Sequence, residues 1–191
     1  MPKKITVLGT RGIPDVLGGV ETHCQNLYPA IRQQYDVEIC VIARSPYVPY
    51  RRSSYKNVET LAIWAPKKRS FEAIVHSVIA ALRTFVDRSD IVHVHAIGPG
   101  LVVPLLRLMG KRVVFTHHGP DYERQKWGQM AKKILMLGEK MAVKYAHEVI
   151  VISEVINQLI QQKYHRYDAH LVYNGVNVPE PLADETIDRI L

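Results

Sequence analysis

Short, nearly pure apolar runs recur along this chain, among them ITVLG, EICVIA, IVHVH, VVF and VIVI, and most are separated by segments of helical length and period. A strand apolar on both sides has to be covered on both faces, a condition met in parallel sheets and not required of antiparallel ones. Strands joined through helices of ten or more residues form βαβ units, which also makes the sheet parallel. The pattern predicts an α/β fold: a doubly wound parallel sheet with helices on both faces. Strands are expected over residues 4–9, 37–43, 58–64, 91–95, 112–116, 148–152 and 169–172, and helices over 20–34, 71–87, 101–109, 127–145 and 153–163. Val20, Cys24, Leu27 and Ile31 form one stripe of the first helix. Ile74, Val78, Ala81, Leu82 and Phe85 form an inward stripe of the second. Residues 45–57, with Pro46 and Pro49, read as a loop.

Composition narrows the function classes. No apolar run reaches the roughly 20 residues of a membrane span. The apolar stretch after Lys3 and Lys4 is shorter than the core of a signal peptide. Cys24 falls in a helix and Cys40 in a strand, without a CxxC neighbour, so both are expected as buried free thiols in a reducing compartment. The net charge is +7, which favours anionic partners: phosphorylated ligands, an anionic membrane face or nucleic acid. The basic clusters are Arg51–Arg52, residues 67–69 and Lys132–Lys133. None is a basic run interleaved with aromatics, so a nucleic-acid platform is not expected.

In an open parallel sheet, ligands lie outside the carboxyl ends of the strands. That rule selects residues 9–19, 43–56, 65–70, 95–100, 117–127, 153 and 173–176. The first of these, in VLGTRGIPDVLGGVETH, breaks the dinucleotide fingerprint, because its glycines are Gly9, Gly12, Gly18 and Gly19. Gly18-Gly19 still stands at the start of a helix, where bare backbone N–H groups and the helix dipole attract anions. Either a phosphate cradle or a plain strand-to-helix turn is compatible with these residues. His117 and His118 alternate at a strand end, so one ring packs inward and the other faces the cleft. A cleft imidazole can exchange a proton with a hydroxyl or hold a substrate, and Asp121, Glu123 and Arg124 share its rim. His93 and His95 fall on one face of a strand with no cysteine or acid nearby in sequence, so no metal is expected there.

The succession LGTRGIPDVLGGVETH, DIVHVHAIGPG, VVFTHHGPDYERQKWG, VIVIS and YNGV resembles the N-terminal domain of family-four retaining glycosyltransferases of GT-B fold. The variant GTRGIP…GGVET with HGPDYERQKWG is similar to members that build bacterial cell-surface polysaccharides. The resemblance covers residues 5–176. It implies transfer of a sugar from a nucleotide-diphosphate sugar to an acceptor hydroxyl with retention, the acceptor being a glycan or a lipid-linked sugar. Gly18 and Gly19 would approach the donor diphosphate, and His118 would face the transferred sugar. His95 and the turn containing Gly98 would wall the acceptor cleft. Asp121 and Arg124 would lie on the acceptor side, and Ser153 and Asn174 would line the cleft between domains. No cofactor or metal is implied, since no DxD stands at a strand end.

The resemblance also implies a second, donor-binding domain that this chain lacks. Residues 1–176 would be the acceptor-side domain, residues 177–191 the start of a linker and helix, and the isolated domain would be inactive. Arg51, Arg52 and residues 67–69, beside Tyr47, Tyr50, Tyr55, Trp64 and Phe71, either form a solvated basic rim or rest peripherally on the inner, anionic face of the cytoplasmic membrane. The competing readings are a non-catalytic nucleotide- or sugar-binding module, a dinucleotide oxidoreductase and a nucleic-acid binder. The broken fingerprint opposes the second, as does Ala43-Arg44 where an acid should end the second strand.

Overall fold

The computed structural model describes residues 2–66, 69–125 and 127–175. Eight strands form one sheet: β1 (Lys3–Leu8), β2 (Val37–Arg44), β3 (Arg52–Tyr55), β4 (Val58–Ile63), β5 (Ile91–His95), β6 (Arg112–His117), β7 (Glu148–Val151) and β8 (His170–Leu171). Their order is β3-β4-β2-β1-β5-β6-β7-β8. All neighbours are parallel except β3, which runs antiparallel on the edge beside β4. The helices are α1 (Gly19–Gln34), α2 (Arg69–Val86), α3 (Val103–Leu108), α4 (Gln129–Tyr145) and α5 (Glu154–Tyr164).

Successive strand residues point to opposite faces, and the core divides accordingly. Val7, Ile39 and Val41 pack with Cys24 and Tyr28 of α1 on one face. Leu8, Ile42, Val94 and Phe115 pack on the other with Ala80 and Ala81 of α2, Leu106 of α3, Val143 of α4 and Ile160 of α5. Helices therefore cover both faces, as expected of a doubly wound sheet. The α1 stripe behaves as read: Cys24 is fully buried, and Val20, Leu27 and Ile31 pack against the same cluster. Cys24 and Cys40 are both free and buried.

Two expectations need correction. The segment 45–57 is not all loop. Ser45–Tyr47 makes one 3₁₀ turn, and Arg52–Tyr55 pairs with β4 as a hairpin strand. The signal is weak because RSSY has no apolar period; its backbone alone supplies the pairing. The stripe assigned to α2 is largely inverted. Ala81 is buried, but Leu82 is 55% and Phe85 66% exposed, and Val78 and Val86 are exposed as well. The face that meets the sheet is Glu72, His76, Ser77, Ala80, Ala81 and Thr84. These are small residues that allow close approach, or polar ones with partners: Glu72 pairs with Arg44 at 2.9 Å and His76 Nε2 donates to Ala43 O at 3.1 Å. Lys67 and Lys68 and the expected linker and helix over 177–191 lie outside the described residues.

The strand order reverses between β1 and β5, since β1 is followed on one side by β2 and on the other by β5. Such a switch point opens a crevice at the carboxyl ends of the two strands. Here those ends are in contact. Gly9 has φ +103, and a Cβ on it would lie 2.0 Å from His95 O. Only glycine permits that approach.

Candidate functional site

Three histidines meet above the switch point. His95 ends β5, His118 follows β6, and His23 comes from α1. Ring centroids are 5.0 Å apart for His23 and His118, 5.2 Å for His95 and His118, and 5.6 Å for His23 and His95. His95 Nδ1 and His118 Nε2 share a hydrogen bond of 2.9 Å. His95 is wholly buried, while His23 and His118 are partly exposed.

Beneath them runs a chain of single-proton links. The Tyr28 hydroxyl lies 2.5 Å from His95 Nε2 and 2.9 Å from His93 Nδ1, and His93 Nε2 lies 2.7 Å from Thr116 Oγ1. Tyr28 has one proton, so it donates to one imidazole and accepts from the other. The whole chain from Thr116 to His118 thus has two self-consistent polarities. In one, His118 Nε2 accepts from His95; in the other it donates. Burial, then neighbouring imidazoles, lowers His93 and His118 to pKa values of about 3. The same causes push His95 well below the usual histidine range. His23 is lowered by burial, against a hydrogen bond to Asn174. The floor of the hollow is therefore uncharged at neutral pH.

The glycine loop borders the same hollow. Gly19 opens α1, and His23 stands one turn further along the same helical face. Gly18 caps α1 with no side-chain hydrogen bond, Gly19 is exposed, and nothing lies within 4 Å of where a Cβ on Gly19 would sit. Glu21, expected simply to stabilise the first turn, is buried and turned back on Arg11. Its carboxylate accepts from the Arg11 backbone N–H at 2.9 Å and from Arg11 Nε at 3.2 Å. A Cβ on Gly18 would lie 2.0 Å from Glu21 Oε2, so glycine is needed there for that clamp.

His117 has the opposite role to His118, as the alternation required. It is fully buried, its Nδ1 accepts from the Gly119 backbone N–H at 3.1 Å, and its Nε2–H therefore donates to Glu139 Oε1 at 2.9 Å. Glu139 also accepts from Lys163 Nζ at 2.6 Å and Tyr164 OH at 2.5 Å. Burial raises its carboxyl, but these donors outweigh burial and hold it down at about 2. The network braces the turn that carries His118.

The remaining sequence-named residues divide. Asn174 joins the cluster, its Oδ1 lying 3.0 Å from His23 Nδ1. Gly98 borders an apolar groove of about 420 Å³ between α2 and α4, with Ile74, Met130, Ile134 and Leu135 among its walls. Asp121 and Arg124 pair with each other at 3.0 Å on an exposed 3₁₀ turn, and no hydrogen bond ties them to the histidines. Ser153 caps α5 by accepting from the Ile156 N–H at 3.3 Å. His23, Tyr28, His93, Arg11 and Glu139 were not named as site residues from sequence. The four-residue step from Gly19 to His23 and the His93/His95 alternation were available signals. A lone glutamate within a helix gives none.

No helix among the described residues is long and apolar enough to cross a membrane. A search of curated protein sequences gives no match. Among solved structures, the fold is similar to that of a sucrose-phosphate synthase from Thermosynechococcus elongatus, at 17% identity and TM-score 0.73, over 99% of this chain and 53% of that one. It is similar to the E. coli trehalose-6-phosphate structure bound with UDP-2-fluoro glucose, at 10% identity and TM-score 0.59, over 98% of this chain and 54% of that one. A lipopolysaccharide outer core galactosyltransferase in apo form matches at 16% identity and TM-score 0.57, over 96% and 50%. The chain spans about half the length of these proteins. The sequence profile of Glycosyltransferase Family 4 matches residues 17–179, and the chain belongs to that family.

Proposed function

We propose that this chain is the acceptor-side half of a retaining glycosyltransferase, of hexosyltransferase type. In this reading the complete enzyme moves a sugar from a nucleotide-diphosphate sugar to an acceptor hydroxyl in bacterial cell-surface polysaccharide or glycolipid synthesis. A second domain binds most of the donor, and the 191-residue chain alone does not turn over. The observation that carries the reading is that the bare start of α1 and His118 border one hollow: His23, one turn from Gly19, has its ring 5.0 Å from that of His118. As the leaving diphosphate gains charge, N–H donors at a helix start stabilise it without rearranging. His118, neutral at the pH of the cytoplasm, positions the sugar by hydrogen bonding and is not the nucleophile. Transfer draws on no divalent ion.

Gly98 and the apolar groove beside it suit an acceptor with an apolar carrier. Trp64, Arg51, Arg52 and Arg83 line a second hollow of about 660 Å³, next to the exposed Leu82 and Phe85 of α2. Basic side chains around exposed apolar ones favour peripheral contact with the anionic cytoplasmic leaflet. Ligand-observed NMR of the chain with a panel of nucleotide-diphosphate sugars tests the reading. Weak saturation transfer is expected, lost in Gly19→Asp and reduced in His118→Ala. No transfer from any donor would remove the loop from the site, and turnover by the chain alone would refute the half-site reading.

A further inference from the structure

The three cleft histidines have the donor set of a transition-metal site, which neither the fold nor the transfer chemistry calls for. One ring nitrogen from each of His23, His95 and His118 lies within 4.8 Å of the others. Three imidazoles with an open fourth position are a recurrent arrangement for Zn²⁺. Borderline-soft ions prefer imidazole, whereas Mg²⁺ and Ca²⁺ prefer the oxygen ligands absent from this trio.

A second observation concerns the outer shell. Metal-bound histidines usually donate their other N–H to a protein oxygen, which fixes ring and tautomer. Two of the three rings already have such an oxygen. Asn174 Oδ1 lies 3.0 Å from His23 Nδ1, and Tyr28 OH lies 2.5 Å from His95 Nε2. Behind Tyr28, His93 and Thr116 continue the chain. With His95 Nε2–H donating to Tyr28, Tyr28 to His93 and His93 to Thr116, the His95 Nδ1 lone pair accepts from His118 Nε2–H. That is one of the two polarities the chain can take. Moving the His118 proton to Nδ1 frees both nitrogens for an ion.

We propose that His23, His95 and His118 bind one Zn²⁺ or similar borderline divalent ion, with Tyr28 and Asn174 orienting the rings. His23 contributes Nε2, His95 Nδ1 and His118 Nε2. Tetrahedral coordination at about 2.0–2.1 Å places ligand nitrogens about 3.3 Å apart. Loading therefore parts His95 and His118 from their 2.9 Å hydrogen bond by a few tenths of an ångström and draws the third nitrogen inward. His23 and His118, being partly exposed, have room for that shift. The fourth position faces the cleft and takes water. The ion occupies the hollow assigned above to the sugar, so on the proposed transferase it acts as an inhibitor. The binding claim itself stands whether or not that assignment does.

The experiment is a titration of the tag-free, chelator-treated chain with Zn²⁺ against a chromophoric chelator, with Co²⁺ absorption as a second readout. One equivalent is expected at micromolar Kd or tighter, with tetrahedral Co²⁺ bands and no binding of Mg²⁺ at millimolar concentration. His23→Ala and His118→Ala, both at partly exposed positions and checked for fold by circular dichroism, should each weaken binding at least tenfold. Tyr28→Phe should weaken it about tenfold, while His165→Ala, outside the cluster, should leave it unchanged. Substoichiometric Zn²⁺ binding, or affinity unaltered in both His23→Ala and His118→Ala, would overturn the proposal.

Discussion

Lowering the pH from 7.5 to 5 should cost this chain a large part of its folding free energy. His76 and His93 are buried as neutral imidazoles. Burial, then the Arg44 guanidinium, lowers His76 to about 4, and burial, then His23 and His118, lowers His93 to about 3. The ring of His93 contacts Tyr28, Thr116 and His95, none of which is an anion at this pH. Unfolded, each imidazole titrates near its ordinary 6.5. Between that value and the folded one the unfolded chain binds more protons, so stability is full above about pH 7 and falls with pH. At pH 5 each unfolded imidazole is protonated about thirty times more often than not, and each folded one scarcely at all. The difference is about 2 kcal/mol per group, or about 4 kcal/mol for the pair. Domains of this size are stable by about 5–15 kcal/mol, so the loss is readily measured. His23, His95 and His118 shift in the same direction and add to it. Urea denaturation followed by circular dichroism at pH 7.5, 6 and 5 measures the slope. His76→Gln and His93→Gln should each remove about 2 kcal/mol of the drop, whatever they do to stability at pH 7.5. A drop below about 1 kcal/mol, or one of equal size in the parent and both variants, would refute the assignment of these rings as neutral.

Three further outcomes follow from the packing. Glu139→Ala strands the donors of His117, Lys163 and Tyr164 around a fully buried position, and should lower stability by about 3 kcal/mol in the same assay. The contribution of Glu139 to the parent is present above about pH 4.5 and lost as pH falls towards 2, because its folded carboxyl is depressed to about 2. Gly9→Ala forces a side chain against His95 O at positive φ; it should destabilise by at least about 2 kcal/mol and broaden the NMR signals of His95. Leu82→Asp with Phe85→Asp alters only exposed positions. It should change stability by less than about 0.5 kcal/mol while abolishing sedimentation of the chain with anionic lipid vesicles.

Fold and site differed in how much the sequence disclosed. The parallel sheet was legible because its strands are apolar on both faces and its connections helical, and both are local properties of the residues. The α1 stripe was legible for the same reason. The α2 stripe was not: periodicity places residues on one side of a helix but does not say which side is buried. There the sheet is met by Ala80, Ala81 and Ser77, with Glu72 and His76 satisfied by Arg44 and Ala43. At the site, strand-end geometry identified His95 and His118 and the alternation that separates His117 from His118. It could not identify His23, because the 5.0 Å contact between His23 and His118 joins residues 95 positions apart across the switch point. Tyr28 was hidden likewise, because its place between two histidines depends on contacts to residues 65 and 67 positions away.

The distribution of charge bears on what the hollow can do. The chain carries +7 overall, yet the imidazoles lining the hollow are neutral and Arg11, the guanidinium nearest the start of α1 in sequence, is committed to Glu21 at 3.2 Å. Lys163 is committed to Glu139, and Arg51, Arg52 and Arg83 line the separate hollow beside α2. A helix start offers roughly half an elementary charge, whereas a diphosphate carries two or more negative charges. Under the proposed function, the described part of this chain would orient a diphosphate without neutralising it. Under the proposed function, the missing positive charge has to come from an opposing wall, so the isolated chain should bind uncharged sugars nearly as well as their nucleotide-diphosphate forms. A preference of more than about a hundredfold for the diphosphate form would place a full anion site within this half and contradict that division of labour.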